Sequence, residues 1–161
     1  MNIPTLFENT QFIVIDKPSG LVVHPFDHST EETLLDFLQA HIPETFLIYN
    51  NKTLLDGRTI NLGGLVHKLD RDTGGVLVIA KTQDAFNELT HAFTSHAITK
   101  TYHALVEGIV QEDTLTIDAP LGRNKKDYKQ TAFPKNPRGE LRHALTSLRV
   151  LHRNTTTTLV E

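Results

Sequence analysis

Residues 63–75, GGLVHKLDRDTGG, run directly into Val76-Leu77-Val78-Ile79-Ala80. Two glycine pairs bracket a charged bend, and an apolar run follows without a spacer. Glycine adopts backbone conformations closed to other residues, so each pair marks a sharp turn or a close approach of chain segments. A short continuous apolar run bounded by turn residues reads as a strand, and its lack of alternation predicts cover on both faces. Lys68, Asp70, Arg71 and Asp72 therefore stand at the mouth of an interior strand. Two explanations apply. Asp70 or Asp72 can brace the turn by accepting backbone N–H bonds. Alternatively Asp70, flanked by cations that favour its ionised form, is placed as a nucleophile or base. Spacing alone leaves both open.

Around this centre the pattern predicts strands at Phe12–Ile15 and at 21–23, separated by the Pro18-Ser19-Gly20 turn. Ser29 and Glu32 have capping-box spacing ahead of a helix that presents Leu34, Leu35, Leu38 and Ile42 on one face and stops at Pro43. Residues 44–62 lack a period and are predicted as loop. A second helix is expected over 83–96, with Phe86, Leu89 and Phe93 at helical spacing. Strands follow at 99–110, with Tyr102, Ala104 and Val106 on one face, and at 113–120 as an edge. Two further strands, 144–153 and 155–161, are hinged at Arg153-Asn154. Strands outnumber helices, so the fold class is α+β: a mainly antiparallel or mixed sheet with a few packed helices. The end, TTTTLVE, stops in mid-strand. That predicts a last strand with unpaired backbone groups and an open apolar edge, in a chain shorter than its fold.

Length and charge narrow the function. At 161 residues one domain, 1–161, is expected, large enough to bury a core. Nothing approaches a membrane-spanning apolar run, and the start lacks the basic and apolar regions of a secretory signal. Zero cysteines remove disulfides and thiolate metal sites, and the expected location is cytoplasmic. The net charge of −3 hides an asymmetry: residues 1–66 carry −5 and residues 67–161 carry +2. Residues 122–142 alone hold seven basic and two acidic residues, a field able to recruit a polyanion. That segment is predicted as a loop or polar hairpin, with Tyr128 and Phe133 as stacking groups if it touches RNA.

The central stretch HKLDRDTGGVLVIAK closely resembles the H-R-L-D-x-x-T-S-G-x-x-x-x-A-K signature of the RluA-type pseudouridine synthases. Further blocks agree in order. DKPSGLVVHP (16–25) resembles the family's N-K-P-x-G-x-x-x-H element, and ITKTYHALVEG (98–108) its K-x-Y-x-A-x-V strand. APLGR (119–123) and HALTSLRVL (143–151) resemble P-I-G-R and A-x-T-x-Y-x-V-L.

The resemblance implies a pseudouridine synthase catalytic domain, incomplete at its C-terminus, and an isomerase acting on uridine in structured RNA. Ribosomal RNA of the large subunit is the first substrate class and transfer RNA the second. Asp70 matches the essential aspartate and Tyr102 the active-site tyrosine that stacks near the target base. Lys68 stands in the place of an arginine that contacts RNA where the flipped nucleotide has left the stack. His67 and Arg71, beside it, complete the candidate substrate-binding residues. Three departures stand out: Lys68 lacks arginine's planar fork, a glycine replaces a serine, and the family's G-R-x-H-Q-I-R-x-H segment is missing after Glu161.

No cofactor is implied, since isomerisation needs no redox step or external energy, and a monomer is expected. His24 and His28 are four apart but separated by Pro25, with no third ligand, so no metal site is expected. Asp70 and Asp72 lie in one turn and cannot flank a scissile glycosidic bond from opposite faces. The rival reading is a truncated, inactive relative that at most binds RNA.

Overall fold

The structure, a computed structural model, describes residues 2–25, 30–124, 130–132 and 137–161, with the backbone alone at 123, 124, 130, 137 and 138. The chain divides into two compact units, Met1–Thr99 and Lys100–Glu161.

The first unit is built on β2 (Phe12–Lys17). It pairs antiparallel with β1 (Thr5–Glu8) on one side and β5 (Gly75–Ala80) on the other. The β2–β5 register sets Ile13 opposite Ile79 and Ile15 opposite Leu77. Period-two alternation sends these four to one face, where all are buried. Helix α1 (Leu34–His41) covers that face with Leu34, Leu35 and Leu38, and Ile3, Leu21, Val23 and Leu65 complete the cluster. Helix α2 (Gln83–Thr94), capped by Thr82 Oγ1 accepting from the Ala85 N–H, packs Ala85, Phe86 and Leu89 against Ile48 and Ala80. A hairpin of β3 (Asn51–Thr53) and β4 (Thr59–Asn61) stands between the helices in sequence.

In the second unit β6 (Ala104–Glu107), β7 (Thr114–Asp118), β11 (Leu145–Arg153) and β12 (Thr157–Val160) form an antiparallel sheet in the order β6-β12-β11-β7. Thr158, fully buried, ties β12 to the segment after β6. Its Oγ1 donates to Gly108 O at 2.9 Å and accepts from the Val110 N–H at 3.1 Å. A smaller sheet holds β8 (Leu121–Asn124), β9 (Gln130–Ala132) and β10 (Pro137–Arg142), with β8 in the middle.

Several sequence expectations are corrected. Leu21 and Val23 are buried, but residues 21–23 form no strand, because the carbonyls of Val22 and Val23 accept from the N–H groups of Leu34 and Leu35 at the start of α1. The capping box sits four residues later than expected. Thr33 is the N-cap, and the Asp36 carboxylate accepts from both its N–H (2.8 Å) and its hydroxyl (2.7 Å); Ser29 lies outside the described residues. Residues 44–62 are not simply loop but hold most of a 3₁₀ turn (Pro43–Leu47) and the β3–β4 hairpin, both too short to show a period. Tyr102 and His103 precede β6 rather than belonging to it.

Strand β5 is not covered on both faces. Leu77 and Ile79 are buried, while Val76 is 57% exposed, so an apolar composition conceals ordinary alternation. The last strand is no open edge either: β12 is interior, paired with β6 and β11, and the expectation failed because strand order does not follow chain order. The edge placement of β7 and the helix over 83–94 match the pattern. Residues 122–142 contain strands of the smaller sheet, in keeping with the polar hairpin; Tyr128 and Phe133 lie outside the described residues. Among the described residues no helix is long and apolar enough to cross a membrane.

The alternation in β5 is testable. Leu77→Ala is expected to cost about 2–5 kcal/mol in urea unfolding, whereas Val76→Ala, one residue away, should stay within about 0.5 kcal/mol. Equal losses would mean that the strand is buried on both faces.

Candidate active site

The inward row of β2 runs Ile13, Ile15 and then Lys17, so alternation drives an ammonium group into the place of a third aliphatic side chain. Lys17 is 0% exposed. Its Nζ donates to the carbonyls of Pro18 (2.9 Å), Leu21 (2.8 Å) and Arg71 (2.9 Å), which uses all three of its protons. Burial lowers the Lys17 pKa, and the negative charges of Asp72 and Asp70 partly offset this. One buried cation thus binds the turn after β2 to the charged bend before β5.

Other bonds fasten the same junction. The Gly20 N–H also donates to Arg71 O at 2.9 Å, and Ser19 Oγ donates to Asp72 O at 2.7 Å. The Thr73 N–H donates to Asp70 O at 3.2 Å and closes the bend. Gly75 has φ +119°, a conformation that side chains rarely adopt, which suits the glycine at this place of the signature. At the other end of the stretch, the Ala80 N–H donates to Gly64 O at 2.9 Å, and a Cβ on Gly64 would lie 1.9 Å from Ala80 O. The glycine brackets therefore serve close approach as well as turning.

These contacts bear on the bracing explanation for the charged bend. Its turn is closed by backbone groups and by Lys17. The carboxylates of Asp70 and Asp72 make no hydrogen bond or ion pair among the described residues. Asp70 is exposed, on a segment anchored through the carbonyls of Arg71 and Asp72 that follow it. A fixed backbone with an uncommitted carboxylate suits chemistry better than bracing.

The neighbouring candidates have separate situations. Arg71 pairs with Glu31 at 2.5 Å, while its carbonyl serves Lys17 and Gly20. His67 accepts the Val78 N–H through Nε2 at 3.0 Å and stacks on Phe93 with ring centroids 4.4 Å apart, so it ties α2 to β5. Lys68 is exposed and makes no hydrogen bond or ion pair among the described residues. Tyr102 belongs to the second unit and is 52% exposed. It shares a groove of ≈ 900 Å³ on the larger sheet with Ala104, Val106, Leu145, Arg149 and Glu161. Glu161 accepts from Arg149 at 2.7 Å and approaches His103 at 3.4 Å; both contacts, Arg149 first, lower its pKa.

Sequence reasoning overlooked Lys17, although the signal was present: a lysine falling on the inward row of an apolar strand just before a Pro-x-Gly turn. It also left out Lys52. This residue, on β3, brings its Nζ to 3.4 Å from His24 Nε2, and His24 Nδ1 donates to Pro25 O at 2.9 Å. Among the described residues no cluster of His, Asp and Glu could hold a metal ion.

Replacing Lys17 with Met is expected to leave the inward row packed but to strand the carbonyls of Pro18 and Leu21, at about 1–3 kcal/mol each. Amide exchange at Gly20 and Thr73 should accelerate more than exchange in α2; unchanged protection there would show that Lys17 does not hold the junction. His24 supplies a pH test. Burial, chiefly, depresses its pKa below 6.5, with Lys52 and Lys68 adding to the effect and the Pro25 bond opposing it. Between 6.5 and that lower value the unfolded chain binds more protons, so stability falls as pH drops through this window. His24→Gln should flatten the dependence in urea titrations from pH 7.5 to 5; an identical slope would remove His24 as its source.

A sequence model of the family described as RNA pseudouridylate synthase matches residues 11–161. The chain is 33% identical over its full length to the Bacillus subtilis uncharacterized RNA pseudouridine synthase YlyB, covering 49% of that protein. It is 36% identical over 155 residues, 96% of its length, to ribosomal large subunit pseudouridine synthase D of Nitrosomonas europaea, covering 40% of it. The chain thus spans half or less of the length of these relatives. Among solved structures, human RNA pseudouridylate synthase domain containing 1 superposes with a TM-score of 0.72 at 22% identity. That match covers 99% of this chain and 58% of the human one, a likeness of fold. With the charged bend, the Lys-Pro-Ser-Gly turn and the tyrosine segment leading into β6 in the same order as the signature blocks, the chain belongs to the RNA pseudouridylate synthase family, among its RluA-type members.

Proposed function

We propose that the chain carries the catalytic aspartate of an RNA pseudouridine synthase acting on uridine in structured RNA, within a catalytic domain of which residues 1–161 form part. The observation that supports this reading most directly is the Asp70 carboxylate: exposed, without a hydrogen-bond partner among the described residues, on a bend anchored by buried Lys17. Several relatives are named for the ribosomal large subunit, which favours ribosomal RNA as substrate, in the cytoplasm.

In the reaction the bond between uracil N1 and the ribose C1′ breaks, the base turns, and C5 bonds to C1′; C5 then gives up its proton and N1 takes one up, so the product is an isomer. Asp70 is the carboxylate for this exchange, acting on the sugar or on the ring. Tyr102 stacks on the base and assists the proton leaving C5. Lys68, His67 and Arg71 are the substrate-binding residues of this reading, with Lys68 as the contact to the vacated stack or a phosphate. The target must leave its helix, so a loop or bulge is the natural site.

Release of tritium from RNA labelled at uridine C5 reads this chemistry. Asp70→Asn is expected to reduce release by at least a thousandfold while RNA affinity and unfolding midpoint stay near those of the parent. Lys68→Arg should retain release within a few-fold, since it restores the fork of the family's arginine. Isomerisation surviving in Asp70→Asn would remove that residue as the catalyst. RNA binding without release by the parent chain would favour the binding-only reading, and free uracil would indicate glycoside hydrolysis instead.

A further inference from the structure

Lys52 lies outside every block that carries the family resemblance, on a hairpin the sequence did not announce, yet it reaches the segment after the Lys-Pro-Ser-Gly turn. Its Nζ sits 3.4 Å from His24 Nε2. Because His24 Nδ1 donates to Pro25 O, Nε2 carries the lone pair, and the imidazole accepts from the lysine. The ring is therefore fixed in orientation and points the Lys52 ammonium rather than competing with it. Lys68 is near enough to act electrostatically on the same imidazole.

Two cations and a neutral imidazole thus converge beside the bend that carries Asp70. Neither Lys52 nor Lys68 has a carboxylate partner among the described residues. Elsewhere in the first unit the basic side chains are engaged: Arg58 with Asp56, Arg71 with Glu31, and Lys81 with Glu8 and Glu44. Segment 22–25 is held in place, since the carbonyls of Val22 and Val23 cap α1. Two cations on a fixed frame, neither of them ion-paired among the described residues, create a field that favours an anion of several oxygens. Ammonium groups cannot ligate a cation, so the ligand chemistry is that of a phosphate.

We propose that Lys52, oriented by His24, and Lys68 form a phosphodiester-binding subsite for the RNA strand next to the nucleotide presented to Asp70. A nucleotide turned out of its helix brings its flanking phosphates with it. Two lysines beside the acid neutralise one of them and so set how deeply the base enters. His24 is a positioning residue in this arrangement. The subsite deepens the reading of the bend as an RNA site and rests on it for the identity of the ligand.

The test is the salt dependence of binding to an RNA hairpin with an unpaired uridine in its loop, measured by fluorescence anisotropy with the full chain. Loss of one phosphate contact lowers the slope of log K against log salt by about 0.7 for single-stranded RNA. Lys52→Ala should show that decrease, Lys52→Arg should restore the slope, and His24→Leu should lose part of it with Lys52 intact. A slope in Lys52→Ala equal to the parent's overturns the subsite, whether or not the parent releases tritium. A reduced slope in a chain that releases no tritium upholds the subsite and removes the catalytic reading, so the two proposals fail separately. Lys52 is exposed, and circular dichroism of each variant confirms that the fold is kept.

Discussion

One buried ammonium group organises the first unit. The inward face of β2 needs a third residue after Ile13 and Ile15, and an aliphatic one would have closed the core and left the turn beyond it loose. Lysine closes the core with its methylene stem and spends its charge on three carbonyls, from Pro18, Leu21 and Arg71. A desolvated cation is costly unless every proton is taken up, which is why the turn and the bend must both come to it. The requirement runs both ways: the cation needs the two segments, and the two segments acquire a common fixed point.

That fixed point explains the state of the charged bend. Its backbone is immobilised from beneath, so its side chains are released from structural duty. Asp70 and Lys68 are exposed and uncommitted among the described residues, while Arg71 turns to Glu31 and His67 to the backbone of β5. A site made this way keeps its geometry without using the groups that must act on a ligand.

Much of this was legible in the sequence, and what was not has physical causes. The helix over 83–94, the edge placement of β7 and the turn at Pro18-Gly20 each follow from local pattern. The importance of the 63–80 stretch was visible from its glycines and charges. Misreadings came where tertiary contacts replaced local rules. Leu21 and Val23 are apolar because they fill the core beside α1, not because they pair in a sheet. Val76 is apolar yet exposed, so composition hid the alternation of β5. The contact between Lys52 and His24 joins residues 28 apart through a three-residue strand, for which no periodic signal exists.

The interior position of β12 carries a temporal consequence. Its register with β6 joins residues 50 to 56 apart along the chain. At the elongation rates of cellular synthesis, about 5–20 residues per second, β6 waits some seconds for this neighbour. Until then Leu105 and the apolar positions of β7 have no completed sheet to belong to, and such stretches are prone to pair with other chains. Closing so distant a loop is also slow compared with forming a helix. The four-stranded sheet is therefore completed only when β12 enters between β6 and β11.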